Sequence, residues 1–253
     1  MEIQRVLKKF DSLMEDKNFD EAERLLEYWI AECEHAGDIR NRFTLLNELV
    51  GFYRMRGERP QGIKTCRSLL DTVEDMDLSN KVSGATAFIN VATAYKSFDL
   101  ADKALPLYEK ALAIYERDLE QTDSRLPALY NNMALTLMEF AIIHKNSDPY
   151  VSLTYIEKTE AYFEKAMNLL QNMEGSENEQ AITYLNMADL AVLKSGIEEA
   201  DIVVEDLVKK SYELLEKSHA DGSTDFKMTA EKCIPAIRHY GYFAYANDLQ
   251  DYM

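Results

Sequence analysis

The sequence is poor in turn formers. Its 253 residues include 9 glycines and 5 prolines, too few to punctuate a protein of many short strands, so long helices are the expected elements. Cysteine is scarce as well. Cys33, Cys66 and Cys233 are widely separated and odd in number, which excludes a disulfide framework and suits a reducing compartment. Cys33 and His35 stand two apart in AECEH, but a metal site needs three or four convergent ligands and no others are near in sequence. The four histidines, His35, His144, His219 and His239, belong to no nucleophile–base motif, and no glycine-rich phosphate loop is present. Carboxylates are so numerous, at 45, that chance pairs carry no glycosidase signature. A non-catalytic chain with no cofactor and no metal is expected, an all-α repeat enzyme being the less favoured alternative.

Positive charge is also in deficit. With 28 basic residues against the acidic 45, the net charge is −17. A duplex-binding protein presents a basic face to displace phosphate counterions. No such cluster exists here, so nucleic acid is an unexpected partner, and an anionic membrane surface is disfavoured for the same reason. The acid keeps an extended surface soluble or selects a basic partner. The opening MEIQRVLKKFDSL mixes charged with apolar residues and resembles neither a signal peptide nor an anchor. The cytoplasm is the location expected by elimination.

What is present is apolar content and a period. Hydrophobic residues make up 47%, enough for a large core. Val50 in LVGFY, Ala92 in NVATAY and Ala134 in NMALTL follow one another at 42 residues, and Ala188 in NMADLA comes 54 after Ala134, which marks an insertion. Weaker copies surround Phe10 and Ile234. Each copy reads as two amphipathic helices, with apolar residues at spacings of three and four. Short breaks divide them at DKNF, RGER, KSFD, KNSDP, KSGI and HYGY. Asn18 with Glu21, and Ser195 with Glu198, have capping-box spacing, and Asp99 offers a similar cap; second helices are expected to start near Phe19, Leu100 and Gly196. A lone helix pair cannot bury both of its apolar faces, whereas stacked copies can. Ala92, Ala104 and Ala111 then mark close helix crossings, with Tyr95 and Tyr108 filling the gaps beside them.

These residues resemble a tetratricopeptide repeat. The third copy fits throughout, with Phe88, Val91, Ala92, Tyr95, Ala104, Tyr108 and Ala111; the second departs, with Gly62 and Cys66 where alanine and an aromatic are usual. The spacing of 42 with KALPLYEKALAIYE is similar to the longer variant of kinesin light chains and related bacterial proteins, in which a proline such as Pro106 is typical and should bend its helix slightly. The resemblance implies an all-α, right-handed α-α superhelix (solenoid) of about six helix-turn-helix repeats. These would form one domain over 1–253, with repeats near 2–37, 40–77, 79–120, 123–174, 177–219 and 224–253.

It also implies binding of a protein or peptide in a concave groove lined by first helices. In the longer variant an asparagine two residues before the small residue bonds the ligand backbone. Asn90, Asn132 and Asn186 occupy that place, and Asn47 is shifted by one. An amide offers donor and acceptor together; the competing reading is that each bonds its own helix or a neighbouring turn. Thr93, Lys96, Asn131, Leu135 and Asp189 are further groove candidates, with Thr86, Met138, Ile182 and Leu185. The carboxylate clamp of chaperone-tail binders is missing, because Ile89, Thr93, Leu185 and Asp189 hold the nearest places. A scaffold or adaptor is expected, and a ligand-responsive regulatory sensor is the alternative.

Two local features stand apart. The insertion FAIIHKNSDPYVSLTY should lengthen one hairpin, with His144 and Tyr150 at its tip. At the end of the chain, Tyr240, Tyr242, Phe243 and Tyr245 either pack back on the fifth copy or form a self-association patch. A monomer or weak homo-oligomer is expected.

Overall fold

The computed structural model describes residues 3–253. Among the described residues there are twelve helices and no strand: α1 (Ile3–Glu15), α2 (Phe19–Ala36), α3 (Ile39–Arg56), α4 (Arg59–Asp75), α5 (Val82–Ser97), α6 (Ala101–Asp118), α7 (Arg125–His144), α8 (Pro149–Leu170), α9 (Glu177–Ser195), α10 (Ile197–Ala220), α11 (Phe226–His239) and α12 (Phe243–Asp251). They form six antiparallel pairs, and all six anticipated breaks fall between the members of a pair. The chain divides into two compact units, one ending at Asp118 and one running from Leu119 to Met253. Each contains three pairs.

In the first unit, Phe10 of α1 meets Phe52 of α3 edge-on at 6.3 Å, over a core that includes Ala22, Leu26 and Leu45. Farther along, Ala92 of α5 and Ala104 and Ala111 of α6 are fully buried, as close backbone approach requires. Tyr108 and Tyr115 fill the space beside them, and their hydroxyls bond Thr93 and Thr86 at 2.9 and 2.7 Å. Each such bond contributes about 1 kcal/mol net, but leaving either hydroxyl unpaired would cost more. The departure at Gly62 has a steric cause. A methyl group there would fall 2.4 Å from the Phe98 ring; the missing side chain admits the ring that caps the turn between α5 and α6.

In the second unit, one cluster joins Ala181, Leu185 and Ala188 of α9 to Ala200, Val204 and Leu215 of α10, and on to Ile234 of α11 and Leu249 of α12. Asn178, nearly fully buried, donates to Ser223 and accepts from Ser218, pinning α9 to α10 and to the turn that follows. The insertion lengthens both α7 and α8. By length and composition α7 could cross a bilayer, but here Leu129, Met133 and Leu137 are buried within the helix stack.

The anticipated starts of the second helices hold to within a residue, whereas the caps proposed for them do not. Asn18 precedes α2, yet its side chain bonds no free amide. Asp99 adopts φ 58 and takes the left-handed turn position, its N–H donating to the Lys96 carbonyl. Ser195 closes α9 and donates to Ala191; Gly196 alone, at φ 88, forms the turn to α10. The side-chain caps are Asp38 and Asp148, which accept from the amides of Asn41 and Val151. Pro106 lies on the exposed side of α6, which runs unbroken from Ala101 to Asp118.

Candidate functional site

The polar groups of interest lie on the first helices of the pairs, and each unit has its own set. In the first unit, α3 and α5 pack side by side, so Asn90 reaches across and donates to Asn47 Oδ1 at 2.8 Å. Asn47 in turn donates to the Phe43 carbonyl of its own helix at 2.9 Å. Around them is a recess of about 210 Å³ lined by Asn47, Glu48, Gly51, Arg54 and Asn90 over Val50. Gly51 and Arg54 stand four and seven residues after Asn47, which puts all three on one helical face; that spacing was the signal for two residues that reading by motif missed. Among the described residues the Arg54 guanidinium has no hydrogen-bond or ion-pair partner. Burial, and then the charge of Asp11, raises the Glu48 carboxyl above the ordinary carboxylate range.

Thr93 is half-buried and turned toward the second helix of its own pair, its hydroxyl bonded to Ile89 O and Tyr108. Thr86 is turned the same way toward Tyr115. Lys96 is half-buried near the end of α5.

In the second unit, Asn131 of α7 donates to Thr183 Oγ1 of α9 at 2.8 Å, while its buried Oδ1 has no partner among the described residues. Asn132 and Asn186 are half-buried, and among the described residues their side-chain amides make no hydrogen bond. Leu135 packs against the Ala134, Ile156 and Phe163 cluster. Leu185 belongs to the core and presents nothing to a ligand. Asp189 is exposed and accepts from the hydroxyl of Tyr240, the residue that follows α11, which ties that turn to α9.

The C-terminal aromatics do not form one exposed patch. Tyr240, Tyr242 and Tyr245 pack against the core of the second unit, and Tyr245 stacks on Tyr212 at 4.2 Å. Phe243 alone is left 60% exposed. At the α7–α8 tip, Tyr150 is 80% exposed, while the His144 ring bonds the Phe140 carbonyl. Among the described residues no three potential metal ligands gather. Cys33, Cys66 and Cys233 are free and buried.

Solved structures with this arrangement of helix pairs are known. BtubC (BKLC) from P. vanneervenii superposes with a TM-score of 0.69 at 16% identity, over 87% of this chain and 81% of that one. A putative kinesin light chain with nearly identical TPR-like repeats from Podosopora anserina gives 0.66 at 15% identity, over 86% and 99%. The fold is a TPR-like helical repeat. No protein-family profile matches the sequence, and no characterised protein matches it by sequence.

Proposed function

We propose that this TPR-like chain is a non-catalytic scaffold whose first-helix asparagines bind the backbone of an extended protein or peptide segment. The observation that carries this reading is the state of Asn132 and Asn186. Both occupy the interior of a helix, where asparagine is a poor choice. Both are half-buried, and among the described residues neither side-chain amide makes a hydrogen bond. An extended chain supplies alternating N–H and C=O groups, and an amide pairs with both. In the first unit, Asn90 spends one N–H on Asn47 and keeps its own carbonyl for a ligand amide.

The test is a peptide-display selection followed by calorimetry on the selected peptides. With about 1 kcal/mol for each lost bond, the Asn132/Asn186→Ala variant should bind them about 30-fold more weakly. Undiminished affinity in that variant removes the asparagines from the site.

A further inference from the structure

A second surface lies in the second unit. Between α8 and α10, floored by α9, is an apolar furrow of about 390 Å³ whose lining includes Phe163, Met187, Leu190, Ala191, Val203 and Leu207. Val203 is 51% exposed and its neighbour Ile202 81%. The matching recess of the first unit, between α2 and α4 over α3, also has an apolar floor, with Leu46, Leu49 and Tyr53, but its α4 bank presents Gln61, Lys64, Thr65 and Ser68. What sets the second-unit furrow apart is its α10 bank, where Val203 and Leu207 stand in place of those polar side chains.

The banks of the furrow are acidic. On α8, Leu153, Glu157, Glu160 and Glu164 follow at helical spacing along one edge. On α10, Glu199 and Asp206 stand four residues before and three after Val203. Two lysines are at hand, and both are committed: Lys194 to Glu160 and Lys210 to Asp206, each at 2.6 Å. Among the described residues Glu157, Glu164 and Glu199 have no ion-pair partner.

We propose that this furrow receives one helix of a partner protein, apolar along one stripe and flanked by lysine or arginine. A furrow between two helices admits a third through side chains at i, i+3, i+4 and i+7, and carboxylates on both banks select cations beside that stripe. A second copy of this chain is the wrong occupant, because each copy carries a charge of −17 and would meet these banks with repulsion. The inference does not depend on the asparagines of the first helices.

The probe is a synthetic helical peptide of about five turns, with leucines in one stripe and lysines on its flanks, beside a scrambled isomer of the same composition. Fluorescence anisotropy with the intact chain at physiological ionic strength should show the striped peptide bound at least about tenfold more tightly than the scrambled one. Val203→Glu is the deciding variant. It adds negative charge, so undirected attraction would hold or grow, whereas occupancy of the furrow requires at least about a tenfold loss. Val203 is half in solvent, and circular dichroism confirms that the variant is folded. The Asn132/Asn186→Ala variant should bind the striped peptide as the unaltered chain does. Equal binding of the two peptides, or unchanged or tighter binding by Val203→Glu, overturns the proposal. So does a dimer in sedimentation that Val203→Glu dissolves, since a second copy would then be the occupant.

Discussion

Three glycines lie within helices of the first unit, and together they separate backbone propensity from packing. Replacing any of them with alanine gains up to about 1 kcal/mol of helix propensity. At Gly51 no atom lies within 4 Å of the place a methyl group would take, so Gly51→Ala should stabilise by roughly that amount. At Gly62 the methyl would sit 2.4 and 2.5 Å from two Phe98 ring carbons and 3.3 Å from Tyr53 Cβ. Carbon atoms rest about 3.5–4.0 Å apart, so a buried ring must retreat by about 1 Å. Overpacking of this kind costs about 1–3 kcal/mol, which leaves Gly62→Ala destabilised by up to about 2 kcal/mol. At Gly84 the obstacle is backbone: the methyl would fall 2.0 Å from the Leu78 carbonyl oxygen. That carbonyl accepts from Lys81 N–H, and Leu78 N–H donates to Val73, both at 2.9 Å. Moving it breaks the turn between α4 and α5, so Gly84→Ala should lose about 2 kcal/mol or more. Urea unfolding followed by Trp29 fluorescence measures this directly, because the one tryptophan of the chain lies in α2 of the same unit. The expected order of stability is Gly51→Ala, the unaltered chain, Gly62→Ala, Gly84→Ala. Phe98→Leu should cost less in the Gly62→Ala background than alone, with a coupling of about 0.5–3 kcal/mol. If Gly84→Ala proved as stable as Gly51→Ala, the steric reasoning would fail.

Two further outcomes follow from the same packing. Glu48 is held above its ordinary range by burial and by Asp11, so the folded state binds its proton more tightly than the unfolded chain does. Stability is therefore lost as pH rises from about 4.3 through the folded value; Glu48→Gln should raise the urea midpoint at neutral pH and leave it unchanged at about pH 3, and an equal effect at both would refute the cause. Ala104 is fully buried at the α5–α6 crossing, so Ala104→Leu should destabilise by about 1–3 kcal/mol through overpacking, read as an earlier Trp29 transition; no shift would mean the helices are not in close approach there.

The fold was legible because its signals are periodic. Small or apolar residues recurring every 42 residues at Val50, Ala92 and Ala134 set the pairing of helices, and all three are buried, as are Ala104 and Ala111 within the third pair. What stayed hidden depended on single geometries. Asn18 and Ser195 have the spacing of caps, but a one-residue turn at Gly196 absorbs Ser195 into the preceding helix. Gly62 departs from the repeat pattern because Phe98, thirty-six residues later, needs its space, and no local signal links the two.

The candidate site is harder to read for a related reason. Sequence register fixes the face of a helix only to the 100° between successive residues, and an amide reaches across that interval. Asn131 and Asn132 are adjacent, yet the first bonds a neighbouring helix while the second bonds nothing among the described residues. The competing reading of an in-register asparagine, a bond within the protein, is realised at two of the four. Asn47 satisfies its own helix at Phe43, and Asn90 satisfies Asn47. Asn132 and Asn186 do neither, so the case for a ligand rests on them, and register alone could not have told the four apart. Thr93 shows the converse. It shares the helix and the expected face with Asn90, but its hydroxyl is needed by Tyr108, and a side chain already spent on the core is removed from recognition however well it is placed in sequence.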